Sequence, residues 1–80
     1  MKIEFSNPAK KFFQKAKRSD KLKVVKKIEI LKEDPLIGKK LKGEFEGKRS
    51  FKAWPFRIIY QAEKDIVYIL AIEHRQQVYK

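Results

Sequence analysis

Two apolar runs near the end of the chain, Phe56 to Ala62 and Ile66 to Ile72, are separated only by Glu63-Lys64-Asp65. Three polar residues between two strand-like runs leave room for a hairpin and little else. The second run is apolar almost throughout, as a central strand buried on both faces would be. The second half of the chain must therefore build a sheet, and the first half must cover it.

The preceding segments extend that sheet. Glu44 to Ala53 reads as a strand with Phe45, Phe51 and Ala53 on one face and Lys48, Ser50 and Lys52 on the other. Trp54-Pro55 reads as a tight turn into the next strand, and Pro35 to Leu41, with Gly38, as a loop. At the start, Met1, Ile3 and Phe5 alternate with Lys2 and Glu4, a short strand.

Between these lie two helical patterns. Asn7 is positioned as a cap, with Pro8 at the first helical position. Ala9, Phe12, Phe13 and Ala16 follow at helical spacing, and Lys15, Lys17 and Arg18 suit the last turn, where cations favour the helix dipole. Ser19 or Asp20 is expected to cap a second helix. Its buried face is expected to be Leu22, Val25, Ile28 and Leu31, supported by Val24. Asp34-Pro35 ends it, because a residue before proline avoids helical angles.

The predicted fold is α+β: one domain over residues 1–80, ordered β-α-α-β-β-β. Two N-terminal helices pack as a hairpin on a small, mainly antiparallel four-stranded sheet. Two helices cannot cover both faces, so one face stays partly open and carries basic residues.

Charge narrows the function. The chain has 21 Lys+Arg against 10 Asp+Glu, a formal charge of +11. That balance points to an acidic partner: nucleic acid, an anionic membrane or an acidic protein. Cysteine is absent, which excludes disulfides and thiolate metal sites. With one histidine besides, no metal and no cofactor are expected. No run is long enough to span a bilayer, and Met-Lys-Ile-Glu-Phe has no signal-peptide apolar segment; a cytoplasmic protein is expected.

Five sequence features then act together. They are Leu41-Lys42-Gly43, Arg57-Ile58-Ile59-Tyr60, Val67-Tyr68-Ile69-Leu70, the final His74-Arg75-x-x-Val78-Tyr79, and the order of elements. In these the chain resembles the RelE toxins of the RelE/ParE superfamily of toxin–antitoxin modules, over nearly its whole length. The resemblance implies a ribosome-dependent endoribonuclease that cleaves mRNA in the ribosomal A site. It also implies a cognate antitoxin, acidic or partly disordered, that wraps and neutralises the toxin. The family's third-strand arginine falls on Arg57, its C-terminal arginine and tyrosine on Arg75 and Tyr79, and its second-strand basic positions on Lys48 and Lys52. Ser50 departs from the pattern, since the best-known member has a lysine there. His74 is the residue that can take a share of that missing base's role.

The chemistry stands beside the resemblance. RNA carries its own nucleophile, the 2′-OH. A ribonuclease needs no metal if it holds the phosphate in line, removes the 2′ proton and protonates the 5′-oxygen. Arg57 and Arg75 offer planar forks for phosphate oxygens. Lys52 and His74 are candidates for proton transfer, and Tyr79 can stack on a base or orient the phosphate. Lys48, Arg49, Lys52 and Arg57 form the expected RNA-binding set. Lys48 and Lys52 fit a second role equally well, as lysines that keep a sheet edge from aggregating. Two other functions stay open: inhibition of DNA gyrase by a ParE-like toxin, which needs no catalytic set, and a non-catalytic basic RNA-binding domain.

Overall fold

A computed structural model describes residues 2–74. Strand β1 (Lys2–Phe5) leads into helices α1 (Asn7–Lys15) and α2 (Arg18–Glu33). Strand β2 (Lys39–Lys40), a 3₁₀ turn (Gly43–Phe45), and strands β3 (Arg49–Ala53), β4 (Phe56–Glu63) and β5 (Ile66–His74) follow. The described residues form one five-stranded sheet in the order β1-β5-β4-β3-β2. β1 runs parallel to β5, and the other pairings are antiparallel. The expected α+β class and order of elements hold. The fifth strand comes from Lys39–Lys40, inside the segment read as loop, where two residues pair with Ser50 and Arg49. Met1, placed by its alternation on the first strand, lies outside the described residues.

Cross-strand register assigns the faces. Ile3 and Phe5 stand opposite Val67 and Ile69. Phe56, Ile58 and Tyr60 stand opposite His74, Ile72 and Ile69 on one side and Ala53, Phe51 and Arg49 on the other. This face is the covered one: α1 lies against β1 and β5, and α2 against β3. The two helices, joined through Ala16 and Lys17, thus lie together on one face of the sheet, as expected. Ala9, Val24, Ile28, Leu31, Ala53, Ile58, Tyr60, Val67 and Ile69 form the core. A chain of edge-to-face rings, Phe5–Phe13–Phe12–Phe56–His74, with centroids 5.1–5.4 Å apart, closes one end of it.

Three local expectations change. Ser6, not Asn7, caps α1, its hydroxyl accepting from the Ala9 N–H at 3.2 Å. Helix α1 ends at Lys15, and Lys17 caps α2 without a side-chain hydrogen bond, so Lys17 and Arg18 do not lie in α1. On α2 the buried residues are Val24, Ile28 and Leu31, while Leu22 and Val25 are 51% and 41% exposed. The geometry of a helix accounts for this. At about 100° per residue, three successive i+3 steps from Leu22 to Leu31 drift by roughly 180°. Val24, Ile28 and Leu31 stay within about 60° of one another.

β5 contains one extra residue. The pairing passes from Ile59↔Ala71 to Tyr60↔Ile69 and skips Leu70. Leu70 and Ala71 consequently share the uncovered side, and Ile72 returns to the core side. The Ser6 hydroxyl that caps α1 also donates to the Leu70 carbonyl, tying the bulge to the helix start. The expectation of a strand buried on both faces gives way here. Val67 and Ile69 are buried, whereas Tyr68, Leu70 and Ala71 are partly exposed beneath a face without helices.

The loop after α2 is pinned by a buried phenol. The Tyr60 hydroxyl accepts from the Gly38 N–H at 2.9 Å and donates to the Pro35 carbonyl at 2.7 Å. Arg49 donates from one guanidinium nitrogen to the Leu36 and Gly38 carbonyls at 3.2 and 3.0 Å. A Cβ on Gly38 would stand 2.6 Å from the Tyr60 oxygen and 3.0 Å from the Ser50 carbonyl. Gly38→Ala is therefore expected to lower the melting temperature. Tyr60→Phe should cost about 1–3 kcal/mol, the penalty for leaving a buried N–H without its acceptor. Burial holds the Tyr60 phenol above its ordinary 10.0. The folded state thus binds this proton more tightly than the unfolded state. Its contribution is fully present below about pH 10 and is lost as pH rises through the raised folded value. Alkaline melts of wild type and Tyr60→Phe should therefore converge as pH climbs above 10, and parallel curves would contradict this.

Candidate nucleic-acid interface

The face without helices is organised around Arg57. In an apolar strand, alternation sends Ile58 and Tyr60 to the core and Arg57 and Ile59 outward. Arg57 stands opposite Lys52 on β3 and Glu73 on β5. One step along, Ile59 stands opposite Ser50 and Ala71, and Ser50 stands opposite Lys39. The register thus places Lys39, Lys52 and Arg57 on one surface.

Arg57 is only half-exposed, and its Nε is buried with no hydrogen-bond partner among the described residues. The sole ion pair among the described residues is Lys32–Glu29, at 3.8 Å on the surface of α2. Glu73 therefore lies across from Arg57 in register without forming an ion pair with it. A partly buried guanidinium with an unsatisfied nitrogen gains nothing from the fold. An anion reaching the face would meet the outer guanidinium nitrogens, since the Nε itself is closed off from the surface.

The segment before β3 is not the strand that alternation suggested. Gly43 and Gly47 have φ values of +70° and +88°, a conformation suited to glycine, and they bracket the 3₁₀ turn. Strand pairing begins only at Arg49. Phe45 therefore is not a core-face strand residue: it is 48% exposed, and the Lys48 Nζ lies 5.8 Å from its ring centroid. Lys48 sits at the border of the open face, off any strand. Phe45, Leu41 and Lys48 overhang the same surface that carries Arg57 and Glu73.

Other expected site residues separate. His74 stands opposite Phe56 on the covered face, its ring edge-to-face with that phenyl at 5.4 Å. It lines a cleft with Phe12, Lys15 and Asp20, on the opposite side of the sheet from Arg57. The bulge at Leu70 causes this, because one extra residue exchanges the faces of everything after it. Arg49 also points to the covered side, and its guanidinium holds the Pro35–Gly38 loop. Arg75 and Tyr79 lie outside the described residues. The structure thus gathers Lys48, Lys52 and Arg57, and adds Glu73 and Phe45, which the sequence reading left without a role. Glu73 had no distinguishing signal, since its face depends on the bulge. Gly43 and Gly47 flanking Phe45 were a signal for a turn. Among the described residues no helix is long and apolar enough to cross a membrane.

The chain is similar to known proteins in both sequence and fold. A family model described as the ParE toxin of the type II toxin–antitoxin system parDE matches residues 3–79. Among solved structures, the chain is similar to a chain of the RelBE2 toxin–antitoxin complex from Mycobacterium tuberculosis, with a TM-score of 0.83 and 27% identity. That match covers 92% of this chain and 96% of that one. It also shares the fold of the YoeB/ParE toxin from Agrobacterium tumefaciens (TM-score 0.80, 19% identity, 92% and 98% covered). The intact RelBE toxin–antitoxin complex from E. coli contains the same fold (TM-score 0.77, 19% identity, 91% and 94% covered). No curated protein matches the chain by sequence.

The two central arginines should respond differently to truncation. Arg57→Ala removes a guanidinium with no structural partner, so thermal unfolding should leave its midpoint unchanged or raised. Arg49→Ala removes two hydrogen bonds from a partly exposed loop and should cost about 1–2 kcal/mol. A larger loss for Arg57→Ala than for Arg49→Ala would mean that Arg57 supports the fold.

Proposed function

Because the chain belongs to the ParE toxin family of type II toxin–antitoxin systems, within the RelE/ParE superfamily, we propose that it is a ribosome-dependent, metal-independent mRNA endoribonuclease. The observation that carries this reading is Arg57: half-buried on the open face, unsatisfied at Nε, and opposite Lys52. In the proposed reaction the 2′-OH loses its proton, the 2′-oxygen bonds to the adjacent phosphorus, and the bond to the 5′-oxygen breaks. The leaving 5′-oxygen takes up a proton, so the products are a 2′,3′-cyclic phosphate and a 5′-hydroxyl. Negative charge gathers on the phosphate oxygens, where Arg57 provides a fixed donor. Lys52 is the nearest candidate base by register, and Lys48 adds charge along the strand path. Arg75 and Tyr79 keep the phosphate-binding and stacking roles that the family resemblance implies. His74, on the covered face, is the weakest of the proposed proton carriers.

The partners of this reading are mRNA on the ribosome and a cognate antitoxin, acidic or partly disordered, in the cytoplasm. The +11 charge would speed encounter with either. A second reading, gyrase inhibition, is favoured by the ParE description of the matching family and by the separation of His74 from Arg57.

Induced expression separates the two. Under the first reading, primer extension shows messages cut within codons, and Arg57→Ala lowers cleavage about a hundredfold or more and relieves growth inhibition. Lys52→Ala should be intermediate, since Lys48 remains nearby. Gyrase-dependent DNA breaks with intact messages would establish the second reading. An Arg57→Ala variant that cleaves and kills like wild type would remove Arg57 from the site.

A further inference from the structure

Beside Arg57 the open face contains a small slot. The 3₁₀ turn carries Phe45 back over the sheet, leaving a cleft of about 220 Å³. Ile59, Leu70 and Ala71 form its apolar floor, Phe45 and Leu41 its walls, and Lys48, Arg57 and Glu73 its polar rim. Sites for drug-sized ligands occupy roughly 300–1,000 Å³. This slot is smaller and suits one flat ring.

Its chemistry restricts the ring further. An aliphatic occupant would use the floor but would make no use of the exposed Glu73 carboxylate or the half-buried Arg57 guanidinium beside it. A nucleobase uses every part: its face stacks on Phe45, its edge meets Glu73, and its phosphate lies toward Arg57. The two oxygens of a carboxylate accept side by side. Guanine offers two parallel donors on its Watson–Crick edge, N1–H and the 2-amino group. Cytosine and adenine offer an amino group only. Uracil places its single N–H between two carbonyl oxygens, which a carboxylate repels.

We infer that the slot between Phe45 and β5 holds one base of an RNA strand, with Phe45 as stacking platform and Glu73 as reader of the base edge, favouring guanine and disfavouring uracil. This inference rests on the RNA-cutting reading of the Arg57 face. It assigns Phe45 more than a covering role, which a leucine would fill equally well. It also gives a role to an acid that stands at the end of the row Glu73–Arg57–Lys52 and forms no ion pair with its cross-strand arginine.

The test is fluorescence anisotropy of the full chain with short 2′-O-methylated RNA strands, uncleavable and identical but for one guanine or uracil. The wild type should bind the guanine strand more tightly. Phe45→Ala and Phe45→Leu should each weaken it, by roughly 5- to 150-fold for the loss of one stacked base. Phe45→Tyr should retain affinity. Glu73→Gln should bring the guanine-to-uracil ratio toward one. Thermal melts of the four variants verify that each is folded, and Phe45→Tyr and Glu73→Gln carry the test should the smaller side chains unfold. Wild-type affinity in Phe45→Leu, or an unchanged base ratio in Glu73→Gln, overturns the slot. If Arg57→Ala has then still lost binding, the RNA-cutting reading stands without it. A wild type that binds neither strand overturns the slot alone, because the ribosome-dependent reading is decided by primer extension on induced cells.

Discussion

Leu70 has no partner on β4, and the arrangement of the functional surface depends on that omission. Without it, period-two alternation from Ile69 would send Ala71 and Glu73 to the helices and Ile72 and His74 to the open face. A charged Glu73 would then press on the aromatic chain around Phe12 and Phe56, and Ile72 would lose its burial. With it, Ile72 caps the core, His74 closes the row of rings, and Glu73 faces Arg57. The bulge has an anchor: Ser6 accepts from the Ala9 N–H and donates to the Leu70 carbonyl. One hydroxyl thus couples the start of α1 to the register of the central strand.

The other edge is governed by Tyr60. Its side chain is fully buried, and its hydroxyl reaches the loop after α2, where Gly38 leaves no space for a Cβ. A buried hydroxyl with two satisfied bonds gives the loop one position. That position sets β2 at the sheet edge, and the chain then continues through Leu41 to the glycine-bounded turn carrying Phe45. The cleft beside Arg57 is therefore built from a core tyrosine outward. Arg49 belongs to this construction, which separates it from Arg57 although both are arginines on neighbouring strands.

The elements were legible where periodicity was long and uninterrupted. The hairpin of β4 and β5, the α1 stripe of Ala9, Phe12 and Phe13, and the α+β class followed from spacing alone. Arg57 was legible because a cation inside an apolar strand must point away from the core. Lys52 followed from the same alternation on β3. What was not legible has physical causes. Leu22 and Val25 belong to an i+3 series that winds around the helix. The pairing of Lys39–Lys40 is a tertiary event with no apolar pattern behind it. The bulge sits in a continuous apolar run, Ile69 to Ile72, where every register buries something greasy. His74 and Glu73 exchanged faces for that reason, and with them the apparent proton-transfer group moved away from Arg57.

The charge of the chain completes the argument. Among the described residues only one ion pair forms, between two exposed residues of α2, and such pairs contribute little. Most of the described cations therefore have no carboxylate partner, Arg49 being held instead by backbone carbonyls, and an excess of +11 on 80 residues repels itself in the compact state. Any polyanion or acidic protein that binds the folded chain relieves this repulsion and, by mass action, stabilises it. An RNA strand and an acidic antitoxin would draw on the same unpaired charge, Arg57 above all. Under the proposed function each would then weaken the binding of the other for an electrostatic reason, most strongly where both engage Arg57.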